Sequence, residues 1–166
     1  MVDDMFELIV KQQQKQELAN ILACNSYTKK FGVTLTEEDV KQLMLSHREN
    51  LREQERVEFH GGILEKLVFA FCDSPYIYQD NYVDSIERLQ EIFYQYKNES
   101  MDELSDDELL KFMREHFDGD CQGSLDFLEE TCLEAYARLI RARSDAFFHN
   151  YQLRGGGAER GDYDEE

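Results

Sequence analysis

One proline in 166 residues, with nine glycines, is the feature that most narrows the fold. An all-β domain of this length needs a reverse turn every ten residues or so, and turns draw on Pro and Gly. Long uninterrupted segments with few breakers are what helices require. The apolar share of 42% and aromatic share of 12% supply a core, so the high charge does not imply wholesale disorder.

Periodicity places the helices. In "QQQKQELANILACNSYTKK", Leu18, Ile21 and Leu22 fall at i, i+3 and i+4, an amphipathic helix of three to four turns. Whether Met5 to Val10 extend it is open at this level. "FGVTLTEEDVKQLMLSHRENLREQERVEF" starts a second helix at Thr36. Its hydroxyl can accept from the free amides of the next turn, and Glu37, Glu38 and Asp39 suit the positive end of the helix dipole. Val40, Leu43, Met44 and Leu51 form its stripe, and His47 is expected at the rim.

"HGG" at 60–62 breaks the pattern, and "ILEKLVFAFCDS" then reads as a short buried helix ending near Pro75. The next helix can begin at Ser74–Pro75 or at Asp80. Either start puts Tyr82, Ile86, Leu89, Phe93 and Tyr96 on one face. Ser105 with Glu108 makes a capping box opening a helix with Leu109, Phe112, Met113 and Phe117 inward. A last helix puts Leu128, Cys132, Ala135, Tyr136 and Leu139 on a stripe, with Arg138, Arg141 and Arg143 toward its negative end. The expected architecture is all-α: a compact bundle of five to six helices over residues 1–150. Residues 151–166, plainest from "GGGAERGDYDEE", are expected to be a disordered acidic tail.

The net charge of −18 is unevenly spread. Residues 1–60 carry 8 Lys/Arg against 11 Asp/Glu, and residues 61–136 carry 5 against 19, a local net of −14. Nucleic acid and anionic bilayers are bound by neutralising phosphate with cations, so both are excluded as expected partners. Basic ligands, metal cations or a protein with a basic surface remain open as partners, the last being the one expected, and the plainer reading of the charge is a well-solvated surface. "MVDDMFELIVKQQQ" opens with acids and has too short an apolar run for a leader or a membrane span, so a cytoplasmic location is expected. Cys24, Cys72, Cys121 and Cys132 are then expected as free thiols.

"FDGDCQGSLDFLEE" carries the one ligand-like spacing. Asp118, Asp120, Gln122, Gly123, Ser124, Asp126 and Glu129 fall where an EF-hand loop holds calcium, alternating oxygen donors around a glycine turn. These positions resemble the EF-hand family, and the resemblance implies Asp118, Asp120, Gln122, Ser124, Asp126 and Glu129 as calcium ligands. Gln122, Cys121 and Glu130 depart from the pattern, and no second full loop exists to pair with this one. The same string also reads as a helix stop with Gly119 in a left-handed cap, followed by Ser124 as the next N-cap. This plainer reading is preferred.

Other constellations are weaker. "FAFCDSPYIYQDNY" is dense in aromatics, and a ligand pocket there would use Tyr76, Tyr78, Asp80 and Tyr82. The ordinary account is a packed helical corner. His116, Cys121 and Cys132, with Cys72, are zinc-ligand types, but their separations match no usual paired spacing. Di-iron bundles need Glu three residues before His. Met44, Val57, Met113 and Ala146 stand there instead. No phosphate-loop, dinucleotide or nucleophile-elbow string occurs.

The run "KLVFAFCDSPYIYQDNYVDSIERLQEIFYQYKNESMDELSDDELLKFMREHFDGDCQGSLDFLE", with "QKQELANILACNSYTKKFGVTLTEED" upstream, resembles a family of small cytosolic proteins from anaerobic Firmicutes known only as a domain of unknown function. The resemblance spans about residues 12–141. It implies a bacterial, cytoplasmic origin and assigns no site residue. The function expected is that of an interaction module with an acidic surface and no cofactor. Calcium binding through the single loop is the first alternative, and a small-molecule binder at the aromatic corner near Pro75 is the second.

Overall fold

Residue periodicity becomes six helices of two turns or more, and no strand, in the computed structural model, which describes residues 2–58 and 63–143. Helix α1 is Val2–Ala23, so Met5 to Val10 do extend it. A four-residue turn of helix, α2 (Asn25–Thr28), and a 3₁₀ turn end at Gly32, whose φ of 86° is the left-handed geometry that reverses the chain. Then follow α3 (Glu37–Glu53), α4 (Ile63–Phe71), α5 (Tyr82–Glu99) and α6 (Asp106–Asp118). The last helix, α7, opens at Leu125–Phe127, passes through a π-helical stretch, Leu128–Leu133, and continues as α-helix over 134–143. The tail expected at 151–166 lies outside the described residues.

The caps are those the residue types dictate. Thr36 Oγ1 accepts from the Asp39 amide while Asp39 accepts from the Thr36 amide, and Ser105 and Glu108 repeat the reciprocal pair on α6. Helix α5 is the hub. It packs on α3, α4, α6 and α7, and Tyr82, Ile86, Leu89 and Phe93 along its face are sealed from solvent. Ile86, Leu89 and Phe93 each contribute about 1.5–3 kcal/mol by burial.

Of the two starts open for α5 the one at Asp80 is the nearer, and the inward face of α7 differs from expectation. Ser74–Pro75 starts no helix; the Ser74 hydroxyl donates to Asp118 and accepts from the Tyr76 amide, and a 3₁₀ turn over Gln79–Asn81 leads into α5. On α7 the inward residues are Leu128, Leu133, Ala137 and Ile140, while Ala135 and Leu139 face out. The cause is the π stretch. Its wider turn makes the inward step from Leu128 five residues, and every later position shifts by one.

Candidate functional site

The loop between α6 and α7 is a closed turn with its own hydrogen bonds. The Cys121 amide donates to the His116 carbonyl, Gly123 to Phe117 and Ser124 to Cys121. Ser124 then caps α7 by accepting from the Phe127 amide. Gly119 is not left-handed, at φ −89°; that geometry falls instead on Gln122 at φ 49° and Gly123 at φ 84°. Gly123 lies against the Tyr76 ring so closely that an added Cβ would sit 2.6 Å from Tyr76 Cβ and Cγ.

The oxygen donors of this loop face different cations. Asp118 accepts from Arg114 Nε at 2.6 Å and from Ser74 Oγ at 2.7 Å. Asp126 and Glu129 both take Arg88, at 2.9 and 2.7 Å. Asp120 turns to His116 Nδ1 at 3.5 Å, and Gln122 is exposed. Two arginines from α5 and α6 thus divide among themselves three carboxylates that a calcium loop would direct at one centre. Arg114 also bonds the Ala70 carbonyl and Asp73, fastening the end of α6 to the end of α4.

Sulfur and nitrogen do gather. One ligand atom from each of His116, Asp120 and Cys132 lies within 4.8 Å of the other two, the one such group of three among the described residues. Cys121 Sγ is 3.6 Å from Cys132 Sγ. The His116 ring is held against Phe112, centroids 4.4 Å apart, and Phe112 against Tyr136. Burial, reinforced by the neighbouring Cys132 thiol, pushes the Cys121 thiol up to about 12, so it is no thiolate nucleophile at neutral pH. Cys72 lies elsewhere, sealed in the core.

The aromatic corner does not converge. Tyr82 is core, Tyr76 packs edge-on against Phe117, and Tyr78 and Asp80 are exposed. None of the four lines either of two surface grooves. The first, about 560 Å³ between α4 and α6, mixes charges of both signs around Phe69 and Leu110. The second, about 680 Å³ between α1 and α3, has Leu8, Leu18, Met44 and Leu45 as its apolar wall. Its rim is Lys11, Lys15, Lys41 and Arg48, and no acidic residue lines it. Leu8 in the groove, and Met5, Phe6 and Ile9 beyond it, are each more than half exposed.

A buried polar cluster escaped the sequence reading. His47, expected at the rim, is 7% exposed. Its Nε2 lies 2.9 Å from the Tyr94 hydroxyl and 3.1 Å from Glu58 Oε1, and Tyr94 donates to the other Glu58 oxygen. Burial raises the Glu58 carboxyl, but hydrogen bonds from His47 and Tyr94 outweigh it and hold the group below its usual range. The same burial and the Glu58 charge push the Tyr94 hydroxyl far up. The clue was the i+4 step from Leu43 to His47, which lies inside the apolar stripe rather than beside it. Neither groove reaches this cluster.

Residues 20–146 match a family described as "Family of unknown function (DUF6323)". The chain belongs to that family. No curated protein and no solved structure matches it. The family thus supplies membership without chemistry. Among the described residues no helix is long and apolar enough to cross a membrane.

Proposed function

We propose that this family member is an interaction module, and that its docking face is the α1–α3 groove. One observation carries the reading: an apolar channel whose charged lining residues are all basic, on a chain of net charge −18. Apolar surface left uncovered at the end of a helix is costly in water, and patches of this kind mark contact sites. The occupant that fits is an amphipathic helical segment of another protein, with apolar residues at i and i+4 and acidic flanks. Its ridge fills the channel and its flanks meet Lys11, Lys15 and Arg48. Lys41 already pairs with Glu37 and contributes less.

The overall charge favours a second occupant, a protein with a basic surface meeting residues 61–136. Arg88 and Arg114 take up four of the acids in that section, whereas Asp84, Glu108 and Glu115 have no cation within ion-pair distance among the described residues. A random peptide library selected on the immobilised protein separates the two. The groove reading expects enriched sequences with spaced apolar residues and acidic flanks, all lost on Leu45→Glu. Basic sequences indifferent to Leu45→Glu would transfer the function to the acidic face. A concentration-dependent dimer abolished by Leu45→Glu would replace the foreign segment by a second copy of the chain.

A further inference from the structure

The structure assigns to His116, Asp120, Cys121 and Cys132 a binding site for a soft divalent metal ion of the zinc class. The residue types are those such ions take: two thiols, an imidazole and a carboxylate. Four ligands on a tetrahedron stand apart by about 1.6 bond lengths. That is ~3.8 Å between sulfurs at a Zn–S bond of ~2.3 Å, and ~3.4 Å between nitrogen and oxygen at ~2.1 Å. The Cys121–Cys132 sulfur separation is 3.6 Å, and His116 Nδ1 to Asp120 Oδ2 is 3.5 Å. Each of these two separations has the length of a tetrahedral edge; Cys121 stands outside the group of three and joins it through Cys132. Cys132 is common to both halves, since it also lies within 4.8 Å of the His116 and Asp120 ligand atoms.

The π stretch is the second, independent observation. In an uninterrupted α-helix Cys132 would follow Leu128 at i+4 and enter the core. The extra residue of the π turn gives that place to Leu133, and Cys132 turns to a half-buried position against Cys121. Such irregular turns concentrate at functional sites. On the α6 side the Phe112 ring fixes His116, and the loop turn fixes Cys121 through the His116 carbonyl. The ligand order His-x3-Asp-Cys-x10-Cys is unlike paired zinc spacings because three ligands come from one helix end and its turn. Calcium is a poor occupant, since it prefers six or more oxygens and the set holds two sulfurs.

The test uses the full chain, kept reduced with a phosphine and stripped of metal, titrated with Co²⁺ as a spectroscopic stand-in. The expected result is one equivalent bound, with thiolate-to-cobalt charge transfer and the intense visible bands of tetrahedral geometry, all displaced by Zn²⁺. Cys121→Ser should roughly halve the charge-transfer intensity, Cys132→Ser should remove both signals, and Asp120→Asn should weaken binding at least ~10-fold. Asp120 is exposed, so that variant leaves the fold intact, and circular dichroism checks the serine variants. A weak octahedral spectrum without charge transfer overturns the assignment, as does a Cys121→Ser/Cys132→Ser protein that binds Co²⁺ unchanged. A Cys121–Cys132 disulfide in protein isolated without reductant would make the pair a redox couple instead and equally end the proposal.

Discussion

Replacing Gly123 by alanine should destabilise the protein far more than the same change at Gly32, although both glycines have left-handed backbones at φ 84° and 86°. An L residue in that region costs about 1–2 kcal/mol, and this applies at both sites. At Gly32 nothing lies within 4 Å of the new methyl, so the backbone cost is the whole effect. At Gly123 the methyl meets Tyr76 Cβ and Cγ at 2.6 Å and Cδ1 at 2.8 Å. Cβ is anchored to the main chain, so rotating the ring does not relieve the contact, and the connection between α4 and α5 must shift. Overpacking of that kind adds about 1–3 kcal/mol. For a chain this long each kcal/mol moves Tm by about 2–4 °C, so Gly123→Ala should lie several degrees below Gly32→Ala. Urea and thermal unfolding followed by circular dichroism measure both. Tyr76→Ala removes the two ring atoms and keeps Cβ, so combining it with Gly123→Ala should recover part of the loss, a coupling of about 1 kcal/mol. Equal effects at the two glycines, or strict additivity with Tyr76→Ala, would refute the claim that this turn is built around the Tyr76 ring.

Other consequences follow from the same geometry. Because the folded Glu58 carboxyl sits below its ordinary value of 4.5, its contribution is fully present above that pH and is lost as pH falls through the folded value. Urea midpoints taken from neutral pH down into that acidic window should therefore drop more steeply for the native chain than for Glu58→Gln, and parallel curves would remove the cluster from the account. Millimolar calcium should leave Tm unchanged, since Asp118, Asp126 and Glu129 already face arginines, and a calcium-dependent rise would show the loop opening to take the ion. Arg88→Met should cost about 1 kcal/mol, as two half-exposed pairs do, measured by urea unfolding. Deleting Glu130 from the π stretch should leave cooperative unfolding intact, because Leu128 and Leu133 then stand four apart as an ordinary α-helix requires. Loss of the cooperative transition would contradict the register argument.

Much of the fold was legible because local physics decides it. Thr36, Ser105 and Glu108 cap where their side chains reach free amides, and the α5 face from Tyr82 to Tyr96 keeps a regular period. What period reading missed has a common cause. The expected stripe through Cys132, Ala135 and Leu139 assumed 3.6 residues per turn throughout, and one wider turn moved it to Leu133, Ala137 and Ile140. Three of the four proposed metal ligands, His116, Cys121 and Cys132, were visible by residue type but set aside on spacing, since spacing rules assume the regular geometry that the turn and the π stretch abandon. The fate of the loop carboxylates depends on Arg88, some forty residues away, and the burial of His47 depends on Glu58 and Tyr94. The Arg88 and Tyr94 pairings span some forty residues or more, beyond any window over which periodicity is read. The groove is legible only once α1 and α3 are side by side, because Lys11, Lys15, Lys41 and Arg48 are scattered in the chain.

The docking claim is tested most directly by the affinity of a selected amphipathic, acidic-flanked peptide for the native chain and two surface variants, read by fluorescence anisotropy. Leu45 is 52% exposed, so Leu45→Glu places a charge in the channel without entering the core. The account predicts at least a ~10-fold loss for that variant, about 1.4 kcal/mol, and no change for Glu115→Lys on α6. Affinity that survives Leu45→Glu, or that responds only to Glu115→Lys, would contradict it.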